Sequence, residues 1–169
     1  MSQTPPDVGY AALVAARAPA LLRLAVMLTG DRSRAEDLLQ STLLHTQKHA
    51  DRIAAMAAPA SYLRRAMVHE HVSGLRRLGR RVRTTPLDGH DAAVSDDAGA
   101  VERRDATWRL LATLPRRQRA VLVLRFYEDL PDSEIASLLG CGESTVRAHA
   151  SRALAALRTH LDETEEVLP

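Results

Sequence analysis

Arginine carries most of the chemistry open to this sequence. Seven arginines (64, 65, 76, 77, 80, 81 and 83) fall between Tyr62 and Arg83 against a single acid, Glu70. Residues 84–102 reverse the sign, with five acids and no Lys or Arg. The net charge of +2 conceals this segregation, and clustered cations are the footprint of a polyanion-binding face. Lys48 is the only lysine, so the signal is the clustering and not the choice of Arg. A second group, Arg116, Arg117 and Arg119, stands ahead of residues 132–158, where two helical stretches meet at a turn bracketed by Gly140 and Gly142. In the second stretch Val146, Ala150, Ala153, Leu154, Leu157 and Leu161 form one apolar stripe at helical period. The opposite face carries Ser144, Arg147, Ala148 and Ser151, with Arg152 at its edge.

That is the pattern of a helix-turn-helix, whose second helix enters the DNA major groove. Small and hydroxyl side chains let such a helix approach base edges, and Arg147 can make a bidentate contact with guanine. Behind Gly142 as N-cap, the N–H groups of Glu143, Ser144 and Thr145 suit a backbone phosphate. Arg116, Arg117 and Arg119 would flank the site and hold phosphates, which sets register without reading sequence.

Other chemistries are poorly served. His69-Glu70-His71 is not the H-E-x-x-H arrangement, and histidines two apart diverge on a helix. His45 and His49, four apart, share a face but lack a third ligand, so no metal is expected. The single cysteine, Cys141, excludes an internal disulfide framework and reads as a small buried side chain in the turn. There is no Gly-rich phosphate loop, nucleophile elbow or paired acidic motif; the expectation is a non-enzyme with no catalytic residue and no cofactor.

The elements that must position these residues are helical. Apolar residues are 46% of the chain, Ala, Leu and Arg are abundant, and alternating β-branched runs are absent. Residues 11–28 read as one helix that Pro19 kinks or divides, ended by Gly30 as a left-handed cap. A second helix starts at Asp31 or Ser33, whose S-x-x-E spacing competes for the cap, and runs to about Ile53. An Ala-rich loop, 54–60, precedes a helix over 61–78. Residues 79–100 carry turn and coil signals without periodicity. Periodicity resumes at Val101 with Trp108, Leu110, Leu111 and Leu114, and Pro115 opens a helix through Tyr127. The fold class is therefore all-α: two small helical domains joined by a flexible acidic linker. No apolar run approaches the roughly 20 residues of a membrane span, and no secretory signal is recognisable, so a cytoplasmic protein without membrane insertion is expected.

Three segments extend the reading. Residues 35–44 (AEDLLQSTLL), 62–77 (YLRRAMVHEHVSGLRR) and 114–128 (LPRRQRAVLVLRFYE) resemble, in order, conserved segments of the extracytoplasmic-function (ECF) sigma factors of bacterial RNA polymerase, in particular the compact SigE-like actinobacterial type. The resemblance implies region 2 over 8–79, a linker over 80–100 and region 4 over 101–163. It implies a transcription initiation factor that binds core RNA polymerase through its clamp coiled coil and flap, and promoter DNA at the −10 and −35 elements. Asp37, Leu38, Gln40 and Leu44 would dock on the polymerase. Tyr62, Arg64, Arg65, His69, Arg76, Arg77 and Arg80 would follow the melting −10 strand, with the 54–61 loop capturing a base. Arg116, Arg117, Arg119, Ser144, Thr145, Arg147, Ala148, Ser151 and Arg152 would engage the −35 duplex. An anti-sigma factor is an admissible further partner.

The chain departs from the pattern in places. His69 stands where relatives usually have Asn, and Gly74 and Leu75 stand where the SigE-like type has aromatics, leaving Tyr62 as the only stacking side chain of the segment. Pro131 replaces a Ser or Thr at the helix-turn-helix entrance, which leaves Asp132 to cap. The alternative reading is a standalone helix-turn-helix regulator with an N-terminal interaction module.

Overall fold

The computed structural model describes residues 7–82 and 102–165, and among them there is no strand. Helix α1 spans Asp7–Thr29, with Pro19 inside it. Gly30 closes it in the left-handed region (φ 70°), its N–H donating to the Val26 carbonyl at 2.8 Å. Helix α2, Arg32–Gln47, is capped by Asp31, whose carboxylate accepts from the Arg34 N–H at 2.8 Å; Ser33 loses that competition. It stops short of Ile53. A break at Lys48 and His49 leads to a separate short helix α3, Ala50–Ala54. Helix α4, Pro59–Val82, is longer than its periodicity suggests and takes in the first residues of the expected linker. Residues 83–101, the rest of that linker, lie outside the described residues.

The second half holds α5 (Glu102–Ala112), α6 (Arg116–Leu122), α7 (Asp132–Leu139) and α8 (Glu143–Glu165). Pro115 is the N-cap of α6 and not its first turn. The expected straight helix through Tyr127 becomes a π-helical segment over Val123–Tyr127, with the Glu128 N–H donating to the Val123 carbonyl at 3.0 Å. The wider turn admits one extra residue and rotates everything after it. Asp129 then takes a positive φ of 54°.

Leu21, Leu24, Leu28, Ile53, Leu63 and Met67 fill the first half; Val121, Leu124, Ile135, Leu139 and Val146 fill the second. These residues belong to one contiguous core, and α1 packs on α5 and α6 as α4 packs on α7. Each fully buried Leu contributes about 1.5–3 kcal/mol. The Tyr10 hydroxyl adds a buried bond of 2.7 Å to Thr46 Oγ1 that ties α1 to α2. Against expectation, Gly9–Thr29 is long and apolar enough, by length and composition, to cross a membrane. Its Leu21, Leu24, Ala25, Met27 and Leu28 are instead spent on the core of the helical assembly.

Candidate nucleic-acid interface

The helix-turn-helix forms as its residue pattern requires. Gly140 (φ 65°, ψ 40°) ends α7, and its N–H and that of Cys141 both return to the Ala136 carbonyl. A Cβ would be strained at that φ. On α8, Val146, Ala150 and Ala153 are buried, while Ser144, Thr145, Arg147, Ser151 and Arg152 are exposed and Ala148 is half-buried. Arg147 has only Glu143 beside it, at 3.6 Å with both side chains more than half exposed. Such a pair is worth well under about 1 kcal/mol and leaves the guanidinium available. Pro131 provides no side-chain cap for α7, and Asp132 does not take over. Asp132 is the first helical residue, and its Oδ2 accepts from Arg125 Nη2 at 2.7 Å.

Arg119 departs from the expected phosphate contact. It is 5% exposed and points inward, donating through Nε to the Leu28 carbonyl at 3.1 Å and through Nη1 to the Ala112 and Leu114 carbonyls at 3.3 and 3.4 Å. It closes carbonyls at the end of α1 and before α6 instead of reaching DNA. Arg116 and Arg117 are half-buried.

On α4, Tyr62, Arg65, His69, Arg76 and Arg80 are spaced by three, four, seven and four residues and fall on one stripe. The four basic residues are exposed, and Tyr62 is half-buried against the core. Arg77 lies at the edge of the stripe, its Nε 3.4 Å from the Ser73 carbonyl. Arg64 lies outside the stripe, its Nη2 meeting Glu128 Oε1 at 2.6 Å and its guanidinium 5.8 Å from the centre of the Tyr127 ring, while Arg65 and His69 of the stripe line a cavity with the same segment of the second half. Tyr127 and Glu128 stand in the sequence only as the end of the 114–128 segment, and their aim is not legible there because the π turn that sets it is not a periodicity.

The polymerase-docking candidates divide by exposure. Asp37, Gln40 and Leu44 face outward on α2, Leu44 at 63%, and Leu38 is half-buried against the core. Glu70 accepts from Ser41 Oγ at 2.7 Å and lies 3.3 Å from His45 Nδ1, which ties α2 to α4. No group of three or more metal-ligating side chains occurs among the described residues. His71 lines a cavity of about 280 Å³ between the halves with Thr29, Arg34, Leu75, Arg116 and Arg119. Burial first, then the positive charges of Arg119 and Arg116, lower its pKa to about 4. Its Nε2 has no hydrogen-bond partner among the described residues. Burial, Arg117 and Arg152 likewise lower His149.

Residues 13–81 match the family model for Sigma-70 region 2, and residues 104–157 match that for Sigma-70, region 4. The chain is 36% identical over 150 residues to an RNA polymerase sigma-E factor of Streptomyces avermitilis, covering 88% of this chain and 83% of that one. It is 33% identical over 158 residues to the ECF RNA polymerase sigma factor SigL of Mycobacterium tuberculosis, covering 90% and 88%. Among solved structures it resembles the sigma factor RpoE of Bartonella quintana, crystallised with the anti-sigma factor NepR, with a TM-score of 0.56 over 90% of this chain and 96% of that one at 24% identity. A region 2 helical unit followed by a region 4 helix-turn-helix in one short chain places this protein among the ECF sigma factors of RNA polymerase.

Proposed function

We propose a division of labour among three helical faces. Residues 8–79 form the unit that binds core polymerase and the −10 element, and residues 101–163 form the −35 reader. On α2, Asp37, Gln40 and Leu44 offer a carboxylate, an amide and an exposed apolar side chain to a polymerase helix, with Leu38 packed behind them. On α4, Arg65, His69, Arg76, Arg77 and Arg80 follow the phosphates of the opening −10 strand, with Arg64 joining once released from Glu128 and Tyr62 offering one aromatic edge. On α8, Arg147 with Ser144, Thr145, Ala148, Ser151 and Arg152 reads the −35 duplex, while Arg116 and Arg117 hold its backbone. Arg119 serves inside the protein and has no part in this contact set.

As an ECF sigma factor the protein binds core RNA polymerase, directs it to promoters and assists DNA opening. Its own contribution is recognition, and bond chemistry belongs to the polymerase. The site of action is the cytoplasm, where polymerase and chromosome are. The Bartonella structure pairs a sigma factor with an anti-sigma factor, and an antagonist of that class is part of this reading.

The observation that carries the proposal is the stripe of exposed basic side chains on α4 in the same chain as the outward-facing Arg147 of α8. Run-off transcription with purified core enzyme tests it: promoter-dependent initiation is expected only when the protein is added. Failure to bind core enzyme would sink the reading.

A further inference from the structure

With the two halves packed together, the seam of this closed form holds the cavity of about 280 Å³ that His71 lines. Its walls come from four helices: the end of α1 at Thr29, α2 at Arg34, α4 over residues 71–78, and α6 at Arg116 and Arg119. On α4, His71, Gly74, Leu75 and Leu78 fall on a single stripe, being three, four and seven residues apart from the first. That stripe lies on the side of the helix opposite Arg65, His69, Arg76 and Arg80, so the cavity is separate from the basic face.

The lining is one-signed. Its charged side chains are all arginines, and no carboxylate among the described residues stands on the wall. Arg119 is held by the Leu28, Ala112 and Leu114 carbonyls, so with Arg116 it supplies positive potential to the interior. Arg34 is exposed, and its guanidinium makes no hydrogen bond or ion pair among the described residues. Inside, the buried His71 Nε2 lacks a partner among the described residues, a state that proteins rarely leave unremedied. The floor is apolar, with Leu75 buried and Leu78 exposed. A Cβ on Gly74 would meet no atom within 4 Å, so α4 leaves space beside that floor.

We propose that this cavity is a binding site for a small organic phosphate, a phosphate monoester with a compact planar or apolar body. Arg34 takes the phosphate from the solvent side, the Nε2–H tautomer of His71 donates to it from within, and the body covers Leu75 and Leu78 in the space beside Gly74. The volume stands just below the roughly 300–1,000 Å³ of drug-sized sites, which admits a monoester and excludes a dinucleotide. The site goes beyond promoter recognition and shares with it only the charge of Arg116.

Calorimetric titration of the full-length chain with phenyl phosphate tests this, with inorganic phosphate and phenol as the two parts of the probe. Phenyl phosphate should saturate with a Kd on the order of 1 mM or tighter, and bind better than either part. Arg34→Gln should weaken binding by about ten-fold or more, through loss of a charge-assisted fork. Arg32→Gln removes the same charge from an exposed neighbour paired with Glu36, and should leave binding within about two-fold. Gly74→Leu should abolish binding by filling the space, with no loss of thermal stability, since leucine suits a helix better than glycine. Histidine resonances give a second readout. Burial, then Arg119 and Arg116, hold the His71 pKa near 4, and a bound dianion opposing those charges should move it up. No saturable heat, equal losses from Arg32→Gln and Arg34→Gln, or binding that survives Gly74→Leu would overturn the proposal. Inorganic phosphate or phenol binding as tightly as phenyl phosphate would overturn it too. So would competitive displacement of the probe by an oligothymidylate, which would make the cavity a DNA-phosphate contact.

Discussion

The two helices proposed to face DNA differ in what surrounds them. α8 packs on α5, α6 and α7, all from its own half, and presents Ser144, Arg147 and Ser151 outward. α4 packs on α1, α2 and α3 and also on α7, so Arg64, Arg65 and Arg76 face the other half. A recognition helix supported locally is ready to bind as folded. A helix shared between two halves has its availability set by their separation. α8 is thus held within one half, and α4 is shared between the two.

The largest effect should come from removing the support of α8. Ile135 is fully buried on α7 beneath the reader. Ile135→Ala should cost about 2–5 kcal/mol in chemical denaturation and abolish −35-dependent initiation. A loss well below that range would show that α8 draws its position from elsewhere than α7.

A second test asks whether the seam responds to acid. His71 faces Arg116 and Arg119 from α6 and shares its cavity with Arg34 of α2, and its pKa falls from 6.5 to about 4 in the closed form. The opened or unfolded chain therefore binds more protons than the closed one between those values. Stability of the closed form is full above pH 6.5 and declines as pH falls toward 4, on the order of 3 kcal/mol in all and about 2 kcal/mol between pH 7 and pH 5. His71→Gln should flatten the pH dependence of thermal unfolding over pH 7 to 5, above the range where most carboxylates titrate. An unchanged slope would show that His71 stays accessible to protons in the closed form.

These tests bear on what the sequence could reveal. The helix-turn-helix was legible because every determinant is local: an apolar stripe of fixed period, a glycine that must adopt φ 65° and a polar face opposite. The break at Lys48 and His49 was not, since nothing in the periodicity of 31–53 interrupts the helix. The π segment was invisible for the same reason, and with it the aim of Tyr127 and Glu128. Arg119 misled because its type and its neighbours Arg116 and Arg117 suggest a surface cluster. Only the approach of α1 to α6 shows that it closes carbonyls inside. Gly79, a helix-interior glycine with no turn to make, acquires a reason when Arg117 is seen lying against it.

Arg147→Ala sharpens the α8 side of the comparison. Its guanidinium has one weak, exposed neighbour, so its removal should leave stability nearly unchanged. Discrimination between promoters that differ at the −35 position it reads should fall by about 1–3 kcal/mol. Binding of the holoenzyme to a small panel of −35 variants measures this, and wild-type selectivity in the variant would remove Arg147 from the reader.

Arg76→Ala probes the α4 side and should give the smallest change. In the closed form its guanidinium lies over Gly140 at van der Waals range and makes no ion pair among the described residues, so little stability is at stake. In the proposed promoter complex it is one phosphate contact of several. The variant should therefore bind all promoters somewhat more weakly, with the salt dependence of log affinity reduced by about one unit of slope. The informative quantity is the pattern across promoters and not the mean. A uniform loss keeps α4 as a positioning helix beside a reading one. A loss confined to particular −10 sequences would mean that Arg76 touches bases, and that the two helices differ in when they bind DNA and not in what they read there.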